Sequence, residues 1–172
     1  MRIRRAVDAD RPAIARIHAA SWADTYRSIL PDILLDETLP GIMAERWANQ
    51  AIGPADAVLV AEEEGEILGF AATWDGEPAY IDNLHVAAWA RSRGVGRALL
   101  AETARQVLAA GRKGALLHVV AANRRARDLY LALGGRPAGM EDKDLYGTLV
   151  ANERIEWDDL EILLARASAP RF

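Results

Sequence analysis

Apolar residues recur every three or four positions in some segments of this chain, as in a helix, and every second position in others, as in a strand. The changes between these two spacings mark the boundaries of the predicted elements. Residues 3–7 are predicted to form a short strand. Asp10 is the predicted N-cap of the helix that follows, in which apolar positions recur every three or four residues. A second helical segment begins at Pro40 and ends at Gly53. The pattern therefore predicts one strand followed by a helical hairpin.

Strand periodicity replaces helical periodicity in the middle of the chain. Residues 58–62 and 67–74 are predicted to pair as a hairpin, and a further strand covers residues 80–86. The helix that follows Gly96 carries two adjoining apolar stripes, so one broad face of it is expected to be buried. Residues 115–120 are almost continuously apolar, as is typical of a strand covered on both faces.

A second strand-helix unit completes the predicted centre of the fold. The helix after residues 115–120 has Asn123 near its N-cap. Strand, helix, strand and helix in this order predict a parallel pair in the middle of an α/β fold. Further on, we predict a turn or loop over residues 139–143, a strand around 145–150, a last strand that includes Ile155, and a loose tail from Ala165 to Phe172.

Length and composition limit the class of protein. The 172 residues fit a single domain over positions 1–172, large enough to bury a core without disulfides or metal. The chain has no cysteine, which excludes a disulfide framework and a thiolate nucleophile, and we expect no metal site. No run of about 18 apolar residues occurs, and no apolar signal core follows the charged start, so the sequence predicts a cytoplasmic protein.

Charge is distributed unevenly along the chain. The formal net charge of -4 argues against a nucleic-acid-binding protein, whose affinity would depend on a basic surface. The middle of the chain is nevertheless basic, with Arg91, Arg93, Arg97, Arg105, Arg112, Lys113, Arg124, Arg125 and Arg127. A basic region in an acidic chain suits a small polyanionic ligand, although several of these side chains are equally consistent with solvated helix faces.

The junction between the strand over 80–86 and the helix after Gly96 predicts an anion site. Main-chain N–H groups at a helix start have no intrahelical partners and lie at the positive end of the helix dipole, where phosphate oxygens can bind them. Gly94 and Gly96 would let a ligand approach the main chain. Leu99 replaces the third glycine of a dinucleotide-binding loop, and no Gly-Lys-Ser/Thr follows, so neither nucleotide fold is indicated. The alternative is a tight turn without a ligand.

Two sequence blocks resemble a known family. Arg91-x-x-Gly94-x-Gly96, after the strand that ends at Val86, is similar to the acyl-CoA signature of the GNAT superfamily of N-acetyltransferases. Leu117-His118-Val119-x-x-x-Asn123-x-x-Ala126-x-x-x-Tyr130-x-x-x-Gly134 resembles the block that closes the opposite wall of the cleft. The resemblance implies a mixed central sheet of about six or seven strands flanked by about four helices. It also implies acetyl-CoA as co-substrate.

The resemblance further implies which residues hold acetyl-CoA. Main-chain groups of Leu84 to Val86 would pair with the pantetheine arm, the Val86 amide would polarise the thioester carbonyl, and amides from Arg93 to Ala98 would hold the pyrophosphate. The full set is Leu84, His85, Val86, Arg91, Ser92, Arg93, Gly94, Val95, Gly96, Arg97, Ala98, Asn123, Ala126 and Tyr130. Gly135 departs from the family pattern, which usually has phenylalanine there, and Trp89 is a candidate to fill the lost volume.

Acyl transfer from a thioester to an amine needs a proton donor for the leaving thiolate and a base for the amine. Tyr130 lies two helical turns beyond Asn123, on one helix face, and the resemblance assigns it the role of proton donor. A core tyrosine is the alternative. His118 interrupts an apolar strand and is a candidate base, or else a hydrogen-bonded structural histidine. Asp82, predicted by strand alternation to share a face with Leu84, is the second candidate base.

The acceptor site is less defined by the sequence. Trp22 and Tyr26 follow the first helix, where the family's acceptor loop lies, and they are candidates for an amine pocket. The side chain of His85 is expected to pack on the opposite face of its strand. We predict transfer of an acetyl group to a small-molecule or peptide amine by direct attack. The alternatives are a non-catalytic acyl-CoA sensor and an enzyme that uses a longer acyl-CoA; a homodimer is the common default.

Overall fold

The computed structural model describes residues 1–169, in which seven strands form one sheet and five α-helices cover its two faces. In chain order they are β1 (Arg2–Arg5), α1 (Arg11–Tyr26), α2 (Leu39–Asn49), β2 (Ala57–Glu63), β3 (Glu66–Trp74), β4 (Ala79–Val86), α3 (Val95–Ala109), β5 (Ala115–Val120), α4 (Arg124–Ala132), β6 (Arg136–Leu145), β7 (Thr148–Trp157) and α5 (Leu160–Ser168).

The seven strands described form a mixed sheet in the order β1-β2-β3-β4-β5-β7-β6. Neighbouring strands are antiparallel except β4 and β5, which are parallel, as the strand-helix-strand pattern predicted. The parallel pairing is short: it joins Ala79 to Ala115 and Tyr80 to Leu116 and goes no further. The central strands therefore separate from one another over most of their length.

Alternation within the central strands divides the core between the two faces. In β2, Val58 and Val60 pack with α1 and α2, whereas Leu59 packs on the opposite face with Val95 and Leu99 of α3. Because both faces are covered, the buried positions of β2 form a continuous apolar run. The broad buried face predicted for α3 is confirmed by the burial of Val95, Leu99, Leu100, Thr103, Ala104 and Val107.

The C-terminal part contains the main errors of the sequence interpretation. Residues 139–143, predicted as a turn or loop, lie in β6, which pairs with β7 as an edge strand. Most of β6 is exposed, so it carries little of the apolar alternation by which strands are recognised. The predicted loose tail is also wrong over Ala165–Ser168, which belongs to α5. Residues 170–172 of that tail lie outside the described residues.

Asp10 stabilises the start of α1 in a different way from the predicted N-cap. Its carboxylate makes no capping bond to α1 but accepts a hydrogen bond from the Val7 N–H at 2.8 Å. The guanidinium of Arg4 binds the same carboxylate at 2.7 Å, and this ion pair lowers the pKa of Asp10. Asp10 therefore ties β1 to the turn that precedes the helix.

Gly135 has no room for a side chain. A Cβ there would lie 2.5 Å from Ile155 Cγ2 and 2.9 Å from Trp157 Cζ2. The indole of Trp157 thus lies beside the position where the family pattern has phenylalanine. Trp89, the predicted substitute, is 58% exposed and does not fill that space.

Gly135→Ala is expected to lower the free energy of unfolding by about 2–3 kcal/mol, because the new methyl group overpacks a buried site. Gly41→Ala is the matched control: nothing lies within 4 Å of a Cβ at this position in α2, and alanine favours the helix by about 0.5–1 kcal/mol. Urea denaturation of both variants measures the difference. Equal stability of the two would mean that Ile155 and Trp157 shift without cost.

Candidate active site

The separation of β4 from β5 opens a cleft in the middle of the sheet. Beyond Tyr80 and Leu116 the two strands no longer pair, although β4 stays bonded to β3 up to Val86 and β5 stays bonded to β7 up to Val120. The facing edges of both strands therefore present main-chain donors and acceptors to the cleft. An extended polar chain can bind there as an added strand does.

The N-terminus of α3 lies at one end of the cleft, where the loop from β4 leads into the helix. Gly94 has φ 86° and is the N-cap of α3, while Ser92 has φ 65°, so the chain turns through two left-handed residues before Val95. A Cβ on Gly96 would lie 3.7 Å from Val86 Cγ2 and 3.8 Å from Leu129 Cδ2. The missing side chain of Gly96 therefore widens the cleft where the anion site was predicted.

These elements enclose a cavity of about 510 Å³, which we call the cofactor cavity. It is lined by Ser21, Asp24, Thr25, Leu84, Val86, Ala90, Arg91, Ser92, Gly94, Val95, Gly96, Arg97, Ala122, Asn123, Arg125, Ala126, Leu129 and Tyr130. Most residues of the predicted acetyl-CoA set are here; His85, Arg93 and Ala98 are not part of this lining. Sequence reasoning missed Ser21, Asp24 and Thr25 of α1, which gave no motif.

The arginine side chains of the loop bind protein groups. Arg91 pairs with Asp24 at 2.6 Å, and Arg93 pairs with Glu63. Arg97 donates to the carbonyl of Ala167 at 2.9 Å and so caps the end of α5. With these guanidinium groups engaged, the main-chain amides at the start of α3 are the groups best placed for an anion.

A second cavity of about 250 Å³, the acceptor cavity, adjoins the first. Tyr130, Asn123, Ala126, Leu84, Ser21 and Thr25 line both cavities. The acceptor cavity also brings together the remaining predicted site residues, namely His118, Asp82, Trp22 and Tyr26. Residues from α1, β4, β5 and α4 that are far apart in sequence thus meet at one junction.

Tyr130 lies at this junction, on α4. The Asn123 side chain caps that helix by accepting from the Ala126 N–H at 3.2 Å, as predicted, and it thereby fixes the helix start. The ring of Tyr130 is buried and meets Trp157 edge to face at 6.1 Å between centroids. Burial raises the pKa of Tyr130, so the phenol stays protonated at neutral pH.

His118 projects from β5 toward the acceptor cavity. Its Nε2 lies 3.0 Å from Glu141 Oε2, and its ring meets Tyr80 edge to face. Its Nδ1 is buried and has no hydrogen-bond partner among residues 1–169. Burial lowers the pKa of His118, the charge of Lys143 lowers it further, and Glu141 opposes both. The neutral ring has one unprotonated nitrogen and can therefore accept a proton.

Asp82 is held by a β-bulge and by three donors. Thr73 pairs with Ile81 and Ala72 pairs with Asn83, so β4 carries Asp82 as an extra residue and simple strand alternation does not apply there. Oδ2 of Asp82 accepts from Arg46 Nη2 at 2.7 Å. It also accepts from Trp74 Nε1 at 3.0 Å and from Asn83 Nδ2 at 2.8 Å.

Two histidines stack beside the acceptor cavity. His18 is buried and its Nδ1 accepts from Trp47 Nε1 at 3.0 Å, which leaves its own proton on Nε2. The ring of His85 lies on His18 at 4.6 Å between centroids, and its Nδ1 lies 2.8 Å from Ser21 Oγ. Desolvation lowers the pKa of His85 to about 4. Both rings are therefore neutral at pH 7.

Comparison with known proteins identifies the architecture. The sequence profile of the acetyltransferase (GNAT) family matches residues 15–134, which include β4, the loop that contains Gly94, and α4. The chain belongs to this family. The GNAT profile covers all the residues that line the cofactor cavity, so the resemblance inferred from the two sequence blocks is confirmed.

Individual GNAT proteins resemble the chain over most of its length. The uncharacterized N-acetyltransferase YuaI of Bacillus subtilis (strain 168) is 26% identical over 171 residues, which cover 94% of this chain and 95% of YuaI. A GCN5-related N-acetyltransferase from Rhodopseudomonas palustris superposes with a TM-score of 0.74 at 19% identity, over 90% of this chain and 93% of that one. Salmonella typhimurium yncA, solved with its cofactor acetyl-CoA, gives a TM-score of 0.67 at 20% identity, over 93% and 94%. The predicted mixed sheet is thus the GNAT fold.

Among residues 1–169, no helix has the length and apolarity needed to cross a membrane. The same residues contain no group of three or more His, Asp or Glu side chains arranged to hold a metal ion.

Proposed function

We propose that residues 1–172 form one N-acetyltransferase domain that transfers the acetyl group of acetyl-CoA to a primary amine by direct attack in a ternary complex. The observation that carries the proposal is the junction of the two cavities at Tyr130. One cavity ends at a helix N-terminus suited to a diphosphate, and the other holds a neutral imidazole suited to an amine.

The cofactor cavity suits acetyl-CoA in shape and in chemistry. The amides of residues 93–97 would bind the pyrophosphate, because those at the start of α3 have no intrahelical acceptor. The Ala98 N–H, which the sequence predicted to join them, instead donates to the Gly94 carbonyl at 3.0 Å. The unpaired edge of β4 at Leu84 to Val86 would bind the amides of the pantetheine arm. Asn123 retains its side-chain NH₂ group as a donor toward the same arm, since only its carbonyl oxygen is used as the helix cap.

The reaction needs three groups of this chain. The neutral amine attacks the thioester carbonyl, and the Val86 N–H stabilises the oxyanion that forms on the carbonyl oxygen. The C–S bond then breaks, and the electron pair leaves with the sulfur of CoA. Tyr130 donates its phenolic proton to that thiolate, and His118 takes a proton from the attacking nitrogen. Exchange of protons with solvent restores both side chains.

His118 is assigned as the base in preference to Asp82. Oδ2 of Asp82 already accepts three hydrogen bonds, and an ion pair with Arg46 stabilises the carboxylate. Asp82 is therefore better suited to attract the incoming ammonium group than to remove its proton. His118 lines the acceptor cavity, and its lowered pKa keeps it neutral.

His118→Gln is expected to lower kcat by about 100-fold, because no side chain then takes the proton of the amine. The imidazole is a base only above its pKa, which lies below the ordinary value of 6.5. The wild-type kcat is therefore expected to fall with decreasing pH only below the ordinary imidazole pKa, and this acid limb is expected to be absent from the variant.

Glu141→Gln is the matched test of that assignment. Glu141 raises the pKa of His118 through its charge and its hydrogen bond, so its loss should lower that pKa and move the acid limb to lower pH. Profiles of kcat against pH at saturating acetyl-CoA show the position of the acid limb in the wild type and in both variants. An unchanged acid limb in His118→Gln would remove His118 from the mechanism.

The direct test of the proposal is thiol release from acetyl-CoA in the presence of an amine panel. Calorimetric titration with CoA first measures binding to the cofactor cavity, and thiol release then measures transfer. Binding without acceleration by any amine would favour a non-catalytic acyl-CoA sensor. Absence of CoA binding would remove the basis of both functions.

A further inference from the structure

The acceptor cavity carries an unusual balance of charge for a site that binds an amine. Its charged lining consists of one carboxylate, Asp82, and two cations, Arg46 and Lys143. The lining histidines His18, His85 and His118 all have lowered pKa values and add no positive charge at pH 7. The Glu141 carboxylate lies 3.0 Å from His118 Nε2, so the two carboxylates and two cations in and beside the cavity balance, which suits a ligand that carries both signs of charge.

Lys143 reaches this cavity from β6 and makes no ion pair with any of residues 1–169. Glu141, two residues away on the same strand, is bound to His118 at 3.0 Å. On β7, Glu153 pairs with Arg127, and Glu156 pairs with Arg154 and Arg136. The ammonium group of Lys143 is thus left as a donor that faces the cavity.

Arg46 has donors to spare as well. Its Nη2 donates a hydrogen bond to Asp82. A guanidinium carries five N–H donors, so others remain available. Arg46 is therefore held in place by its ion pair while part of its fork remains open to a ligand. A planar acid group is the partner that such a fork binds best.

The size and the charges of the cavity indicate the kind of acceptor that fits inside it. Pockets for drug-sized ligands occupy about 300–1,000 Å³, and this cavity, at about 250 Å³, is smaller. It suits a metabolite of amino-acid size, whereas a polyamine or an aminoglycoside would place additional ammonium groups near Arg46 and Lys143. In a peptide, the first residue carries a neutral amide in place of the free carboxylate. That amide would lie beside Arg46 and Lys143, which favour an anion.

We propose that the acceptor is a small zwitterionic amine, an amino acid or a close analogue, whose ammonium group binds beside Asp82 and whose acid group binds Lys143 and Arg46. The inference rests on the proposed N-acetyltransferase function and adds its substrate class. The shared chemistry is an anionic group near the amine, whether carboxylate, phosphonate or sulfonate.

The test compares matched acceptors in the thiol-release assay. Each set contains a free amino acid, its α-amide, a dipeptide that begins with the same residue, and the corresponding aminophosphonate or aminosulfonate. The wild type is expected to prefer the free acid over its amide by at least about 10-fold in kcat/KM, the usual worth of a hydrogen bond between charged groups. The analogues show which acid group is preferred.

Lys143→Gln supplies the decisive variant, because it leaves the Arg46–Asp82 ion pair in place. The ratio of kcat/KM for the acid over the amide is expected to fall by about 10-fold. Lys113→Gln is the matched control: Lys113 is the chain's other lysine, lies between α3 and β5, and lines neither cavity, so its ratio should equal that of the wild type.

Each outcome decides the inference. Equal or better use of the amide or the dipeptide by the wild type would overturn it, and so would an unchanged ratio in Lys143→Gln. Either result would leave the transferase function standing, with a peptide or neutral amine as acceptor. If CoA binds but no amine of any class is acetylated, the proposed function itself fails and the inference fails with it.

Discussion

Replacing Tyr130 with phenylalanine is expected to lower kcat by about 100-fold to about 1,000-fold, because the leaving thiolate then lacks its proton donor. The ring and its edge-to-face contact with Trp157 remain, so the free energy of unfolding should change by less than about 1 kcal/mol. The affinity for CoA should stay within about threefold of the wild type. Thiol-release kinetics, calorimetry with CoA and urea denaturation measure the three quantities.

Tyr26→Phe is the matched control for that loss. Tyr26 is also buried, and burial raises its pKa to about 12, yet it lines only the acceptor cavity and not the cofactor cavity. Its kcat is expected to remain within about fivefold of the wild type, with the main change in KM for the acceptor. A similar loss of kcat in both variants, or no loss in Tyr130→Phe, would mean that Tyr130 is not the acid.

The sequence predicted best those parts of the fold in which the physical signals are local. Continuous apolar runs indicated β5, and paired stripes on α3 indicated its buried face. β6 escaped prediction, because an exposed edge strand lacks apolar alternation and is stabilised by its pairing with β7. The same applies to Asp82: the bulge that places it depends on the register of β3 against β4, which one strand alone does not reveal.

The candidate site also contains residues that the sequence predicted and residues that it did not. Tyr130, Asn123 and the glycines of the loop belong to sequence blocks with a defined spacing, and these residues do line the cofactor cavity. Arg46 and Lys143 belong to no block. Their importance depends on which carboxylates the fold places near them, and ion pairs between distant residues cannot be derived from spacing. Charge complementarity toward the acceptor therefore had to come from the structure.

Gly96→Asp is expected to weaken the binding of CoA by about 100-fold. The new carboxylate would stand at the start of α3, where the proposal places the pyrophosphate, and two like charges about 5 Å apart repel by about 3 kcal/mol at a partly buried site. Folding should be unaffected. A Cβ at Gly96 meets only ordinary contacts, the closest at 3.7 Å, and an acidic side chain in the first turn of a helix favours the helix dipole.

Gly96→Asn separates charge from size, since the asparagine side chain has nearly the volume of aspartate without its charge. Its affinity for CoA should lie well above that of Gly96→Asp, and the gap between the two variants should narrow as salt is raised from about 0.05 M to about 0.5 M, where ions screen the repulsion. Calorimetric titration at both salt concentrations measures this gap. A diphosphate bound at these main-chain amides would be repelled by the aspartate side chain but not by the uncharged asparagine side chain. Equal affinity of the two variants for CoA at low salt would therefore mean that the diphosphate binds elsewhere.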